Sequence, residues 1–346
     1  MREYDESDAK VRPQKRGSRP RSKLRPAHAD AVPGTVVGVD RGRFTVWMSD
    51  TDTKVIAVKA RELGRRGLVI GDIVGMVGDS TGDKGTLARI VRREPRATEL
   101  RRTADDTDPT ERVIVANASQ LAIVTALADP EPNPRMIDRC LVAAFAAGMD
   151  ALLVLTKADL GSGDELRATY EPLGVTVLET TVRHDADVLK SHDGAPDELA
   201  GVEGLRDYVD GVSTVFVGYS GVGKSTLVNV LVPNAGRVTG IVNDVTGRGR
   251  HTSTSAVALE LPDGGWIIDT PGIRSFGLAH VDVENFIAVF PDIADAAAEF
   301  CPRGCAHASA EDGCALDKWA TTPDQQSRVN SIRRLLASRA ETESWQ

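Results

Sequence analysis

The sequence lacks an apolar targeting segment. Its N-terminus is polar and charged, without a hydrophobic core or a small-residue cleavage site, so no secretory signal is expected. It also lacks a long apolar run. The most hydrophobic stretch, residues 141–155, is broken by Gly148 and Asp150 and is too short to cross a bilayer. A cytoplasmic location is expected from both absences. Positive charge is not in excess: the net charge is −8, so any contact with nucleic acid must come from a local patch. Cysteine is scarce, with four residues, Cys140, Cys301, Cys305 and Cys314. In a cytosolic chain disulfides are not expected, and Cys140, alone in an amphipathic segment, reads as a small buried apolar residue. No internal repeat is present. What remains is a chain of 346 residues, 41% hydrophobic and 27% charged. That is enough to bury cores in roughly two to three domains.

The organisation is multidomain α/β. Residues 1–32 read as a disordered basic tail, with eight Lys or Arg and no acid between Lys10 and Arg25. The tail is either a solvated segment that keeps the protein soluble or an arm laid on phosphate backbone. Residues 33–97 read as four or five short strands with glycine turns, including a hairpin across Asp40-Arg41-Gly42. A small barrel follows, with the oligonucleotide-binding (OB-like) barrel as the natural candidate. Residues 98–280 alternate strand and helix in a doubly wound pattern. Residues 281–346 read as a mostly helical module carrying a Cys/His cluster.

The segment Gly218-Tyr219-Ser220-Gly221-Val222-Gly223-Lys224-Ser225 fits the phosphate-loop pattern G-x-x-x-x-G-K-[ST], between an apolar strand at 214–217 and a helix that Thr226 opens. The glycines let backbone amides turn inward around phosphates at a helix N-terminus. Lys224 then reaches the β- and γ-phosphates, and Ser225 offers its hydroxyl to magnesium. About 45 residues on, Asp269-Thr270-Pro271-Gly272 follows the apolar strand 266–268. Asp269 is placed to hold the magnesium shell, and the Gly272 amide to meet the γ-phosphate.

Thr156-Lys157-Ala158-Asp159 ends the apolar strand 151–155 and resembles the guanine-reading motif [NT]-K-x-D. Guanine presents N1–H and a 2-amino group, two donors that one carboxylate, Asp159, accepts together. Adenine has neither. Lys157 can lay its aliphatic stem over the base. A second base-contacting loop is expected one β-α unit later, at Glu179-Thr180-Thr181-Val182, although these residues match the usual Ser-Ala pair poorly.

The base reader at 156–159 precedes the phosphate loop at 218–225, the reverse of the usual order in GTPases. Termini that lie close together permit such a rearrangement without moving the strands. With T-K-A-D first, then G-Y-S-G-V-G-K-S-T, then G-R-G-R-H-T-S-T, then D-T-P-G-I, the chain resembles the bacterial ribosome small subunit-dependent GTPase A family over residues 33 to about 325. That resemblance implies an oligonucleotide-binding barrel, a circularly permuted GTPase domain and a zinc-binding C-terminal domain. It also implies GTP hydrolysis on the small ribosomal subunit and its rRNA, late in subunit maturation.

Between the phosphate loop and Asp269 lies Gly247-Arg248-Gly249-Arg250-His251-Thr252-Ser253-Thr254. Thr252 or Thr254 is the candidate for sensing magnesium and the γ-phosphate. Ile273 stands where many GTPases carry a water-orienting Gln. Intrinsic hydrolysis should therefore be slow. The resemblance implies His251 as the substitute; its alternative role is contact with RNA.

Cys301, Cys305, His307 and Cys314 form C-x₃-C-x-H-x₆-C. Three thiolates and one imidazole complete a closed tetrahedral shell for one structural zinc. The first spacing is one residue shorter than the family's commoner pattern. Nothing demands more than a monomer. Two other readings stand beside the GTPase: a P-loop ATPase or kinase, separated by nucleotide competition, and a non-enzymatic RNA-binding module with a structural nucleotide, separated by turnover.

Overall fold

The computed structural model describes residues 28–340, except 65–66, 84, 106–107, 183–200, 234–255, 271–275, 277 and 279–280. Most of the basic tail, and His251, Thr252, Thr254, Gly272 and Ile273, lie outside the described residues.

The first five strands are β1 (Val32–Asp40), β2 (Arg43–Met48), β3 (Thr53–Lys59), β4 (Ile73–Gly78) and β5 (Ala88–Arg93). Their alternation buries Val36, Phe44, Val46, Val55, Ala57, Val74, Met76 and Ile90 in one core. β1 pairs antiparallel with β2 and β4, β2 with β3, and β4 with β5, while β3 runs parallel to β5. The five strands thus close on themselves as the expected barrel. Arg41 and Gly42 both take positive φ (44° and 83°), the geometry that matches a two-residue hairpin to the strand twist.

A hairpin that the sequence reading missed follows: β6 (Glu99–Asp105) and β7 (Asp108–Ala116). Next come β8 (Gln120–Ala126), α1 (Pro134–Ala146), β9 (Asp150–Thr156), α2 (Asp164–Tyr170), β10 (Thr176–Thr180), α3 (Val202–Val209), β11 (Ser213–Val217), α4 (Lys224–Leu231), β12 (Val257–Glu260) and β13 (Trp266–Asp269). Pro134 is the first residue of α1, where its missing N–H costs nothing, and Asn133 caps that helix through Met136 N–H.

The spatial order is β10-β9-β8-β11-β13-β12, parallel except for β12. Successive residues of β8 feed opposite faces. Leu121 and Ile123 pack with Ile137 and Leu141 of α1; Ala122 and Val124 pack with Leu205 of α3 and Leu227 of α4. Burial on both faces explains why these strands read as unbroken apolar runs.

The C-terminal helices are α5 (Val283–Ile287), α6 (Pro291–Phe300), α7 (Leu316–Trp319) and α8 (Pro323–Ala340). They extend the α1-side core through Phe286, Phe290, Ile293, Ile332 and Leu335. α1 also holds them by polar contacts. Asp138 takes Arg334 Nε at 2.9 Å, and Arg139 donates to the carbonyls of Ser338 and Phe276 at 3.0 and 3.1 Å.

The barrel is joined to this sheet. Gly38 of β1 pairs with Val257 of β12, and Trp47 meets Trp266 edge to face with centroids 5.3 Å apart. Within the barrel segment, Asp72, fully buried, receives Arg96 Nε at 2.6 Å and Nη2 at 3.0 Å. A Cβ on Gly71 (φ 85°) would sit 1.7 Å from the Ala116 carbonyl oxygen, so only glycine fits there.

Candidate functional site

The registers bring the carboxyl ends of five strands to one edge. Thr180 and Ala126 both pair with Thr156, Ile123 with Val217, and Phe216 with Asp269. From β8 the chain steps outward through β9 to β10; from β11 it steps the other way to β13. The reversal between β8 and β11 opens a crevice at the strand ends, the position where open α/β sheets bind ligands.

The phosphate loop fills one side of that crevice. β11 ends at Val217 and α4 begins at Lys224, two residues earlier than the helix expected from Thr226. Gly218, Gly221 and Gly223 between them take φ of 158°, 84° and 88°. A Cβ on Gly218 would lie 2.4 Å from the Val124 carbonyl oxygen, so the loop turns directly over β8. Tyr219 is half-buried against both layers of the core. Ser220 and Val222 lie in the turn, and Ser225 and Thr226 in the first turn of α4. The helix N-terminus therefore faces the crevice with its unsatisfied amides and positive dipole end.

Lys224 Nζ forms an ion pair with Asp269 Oδ1, and these side chains are 13% and 27% exposed. The β11–β13 register places Asp269 there, and Thr270 Oγ1, buried one residue on, donates to the Phe216 carbonyl at 3.1 Å. A lysine and a carboxylate sharing a half-buried position beneath a phosphate loop can part to meet an anion and a cation.

The base motif sits on the other side. Thr156 Oγ1 donates to the Val222 carbonyl of the phosphate loop at 2.6 Å. Lys157, at φ 56°, donates from Nζ to the Asp129 carbonyl. Ala158 N–H donates to the Thr180 carbonyl at 3.3 Å, and Asp159 is exposed at the crevice mouth. Thr180 and Thr181 are buried beside this motif. The sequence reading missed the loop after β8. Its Asp129 holds Lys157, and its Pro130 comes within 3.9 Å of where a Gly221 Cβ would be. The D-P-E-P-N-P run at 129–134 has the residue types of a rigid turn but carries no chemical signature.

Cys301, Cys305, His307 and Cys314 converge between α6 and α7, with their ligand atoms all within 4.8 Å of one another. Cys314 Sγ lies 4.0 Å from Cys301 Sγ and 3.9 Å from His307 Nδ1. A tetrahedral zinc shell has edges of roughly 3.8 Å, so this donor set, with ligand atoms up to 4.8 Å apart, is of the kind and near the size that a metal ion draws together. Burial pushes the Cys301 thiol up to about 11, and the neighbouring thiols add to the shift. A bound cation reverses that preference. Burial and the Arg333 cation hold His307 below the usual histidine value, in the neutral form that ligates metal.

Comparison with known proteins adds an independent line. The model of the RsgA GTPase family matches residues 93–279. The chain is 40% identical over 264 residues to the small ribosomal subunit biogenesis GTPase RsgA of Pseudomonas syringae pv. syringae (strain B728a), covering 74% of this chain and 71% of that one. It is 40% identical over 268 residues to the protein of the same name from Pseudomonas fluorescens (strain SBW25), covering 75% and 73%. Two solved structures share the fold. YjeQ from Thermotoga maritima has a TM-score of 0.57 at 23% identity, covering 88% of this chain and 98% of that one. YloQ, described as a circularly permuted GTPase, has a TM-score of 0.58 at 20% identity, covering 92% and 99%.

Proposed function

The chain belongs to the RsgA GTPase family and is a GTP hydrolase, and from that premise we propose that it acts on the small ribosomal subunit during its biogenesis. The observation that carries the site assignment is the Thr156–Val222 hydrogen bond. It ties a guanine-reading motif to a phosphate loop that comes 66 residues later between the bonded residues. One nucleotide then spans both.

In this reading Asp159 accepts N1–H and the 2-amino group of guanine, and Lys157 covers the base with its stem. The amides of 221–226 and Lys224 hold the phosphates. Ser225 and Asp269 would hold the magnesium that accompanies GTP, which would supply charge neutralisation to the phosphates. Lys224 leaves Asp269 as the γ-phosphate enters, so substrate binding itself separates the resting ion pair. The Gly272 amide, Thr252 or Thr254 as the γ-phosphate sensor, and His251 beside the attacking water are assigned on sequence alone. One zinc per chain at Cys301, Cys305, His307 and Cys314 supplies structure to the C-terminal module. Its shell is closed, and no catalytic role is assigned to it.

The partner reading draws on the names of the Pseudomonas relatives. The barrel of 33–97, the basic tail and the helical module of 281–346 flank the GTPase segment of 98–280 as rRNA-contacting parts of a cytoplasmic monomer. Among the described residues no helix is long and apolar enough to cross a membrane.

The test is GTP turnover by the full chain with and without purified small ribosomal subunits, alongside large subunits as control. Slow intrinsic turnover with strong stimulation by small subunits alone is expected. Equal rates in all three conditions would remove the ribosomal partner while leaving the GTPase.

A further inference from the structure

The loop after β8 lies between the two nucleotide motifs. β8 is flanked by β9, which ends in the base motif, and by β11, which runs into the phosphate loop. The Leu127 N–H donates to the Thr156 carbonyl at 2.9 Å, so the loop leaves the sheet against the base motif. At its other end Asn133 caps α1. Between these anchors Asp129 turns at φ 42° and offers its carbonyl oxygen to Lys157 Nζ. Pro130, the next residue, lies against Gly221 of the phosphate loop.

The Lys157 bond draws its stem from the end of β9 toward the end of β8, across the gap between base motif and phosphate loop. A lysine stem is flexible, and it covers a base only once its rotamers are fixed. Fixing it ahead of the nucleotide removes that ordering cost from binding. The backbone at Asp129 presents the acceptor. A positive φ is open to aspartate and asparagine and is disfavoured for β-branched residues, so the residue type suits the turn. A loop that only supported the phosphate loop would need Pro130 against Gly221 and no bond to Lys157.

We propose that Asp129 is a positioning residue of the nucleotide site, its carbonyl anchoring Lys157 so that the lysine stem is laid out for the guanine before the nucleotide arrives. This rests on the guanine reading of 156–159.

The experiment uses the full chain with Lys157→Met, Asp129→Val, Asp129→Asn and the double variant of the first two. Dissociation constants for GDP, ADP and inorganic tripolyphosphate are measured by displacement of a fluorescent GDP analogue. Lys157→Met and Asp129→Val should each weaken GDP about 3–10-fold, the equivalent of ordering one long side chain. The double variant should lose no more than either single one, because both break the same bond. Tripolyphosphate has no base to cover and should bind every variant alike. Asp129→Asn tolerates the turn and keeps the carbonyl, so it should recover most of the affinity that Asp129→Val loses. Should Asp129→Val fail to fold, Asp129→Ala, less strained at the same φ, takes its place. Wild-type GDP affinity in either single variant would overturn the inference, and so would additive losses. An equal loss of tripolyphosphate would reduce the loop to a support of the phosphate loop. All three results leave the guanine reading intact. A wild-type chain that binds ADP as tightly as GDP would overturn both.

Discussion

The Thr156 hydroxyl meets the Val222 carbonyl at 2.6 Å and is buried with it. Thr156→Val keeps the shape and removes the donor, leaving that carbonyl unsatisfied at about 1–3 kcal/mol. The expected result is a loss of roughly 5- to 150-fold in affinity for GDP and GTP alike, read by displacement of a fluorescent nucleotide. Unchanged affinity would mean the bond does not shape the site. Lys224→Ala should lower GTP turnover by about 10²–10³-fold or more, because a donor aimed at developing charge is lost. The fold, read by circular dichroism, should persist. At this scale the sequence was informative where chemistry dictates residue type. The lysine after glycine, the carboxylate at a strand end and the thiol–imidazole set each name their own role. It was silent where the working atom is a backbone carbonyl. Val222 and Asp129 contribute oxygens that every residue carries, so nothing in their identities marked them.

Among the elements, β6 begins at Glu99, whose carboxyl is raised by burial but lowered further by Arg101 and Arg96, and ends below the usual carboxylate range. A carboxylate depressed by folding stabilises the fold above its unfolded value. That contribution is lost as pH falls through the lower folded value. The melting-temperature difference between the wild type and Glu99→Gln should therefore be constant from pH 8 to about 5 and shrink toward zero below about 4. A difference that grew on acidification would contradict this. The β6–β7 hairpin escaped the sequence reading because its charged, bulged strands show no clean alternation; Leu100 and Val115 are its only buried large aliphatics among the described residues. Four-residue β12 escaped for lack of length. The barrel strands, α1, β8 and β9 were legible because their faces are buried in full and their periods are unbroken.

At the scale of the whole molecule, the permuted order was readable from motif sequence alone. The joining of the barrel to the nucleotide-binding sheet was not, because strand pairing across distant segments leaves no local pattern. Asp72 and Arg96, 24 residues apart, form a buried pair within the barrel segment, beside that joint. Arg96→Met would leave Asp72 as a buried, uncompensated charge. Removing one partner of such a pair costs about 3–5 kcal/mol. Chemical denaturation should show that loss. A loss under about 1 kcal/mol would indicate that the Asp72 carboxylate is held well enough without Arg96 by the Val69 N–H.

The central claim is that one guanine nucleotide bridges 156–159 and 218–225 in a chain where these motifs are reversed. Displacement of a fluorescent GTP analogue by unlabelled GTP and by ATP, from the wild type and from Asp159→Ala, tests it most directly. The account predicts that GTP displaces the probe from the wild type at far lower concentration than ATP. In Asp159→Ala the two nucleotides should converge, with the phosphate loop still gripping both. Equal displacement by ATP and GTP in the wild type would contradict it.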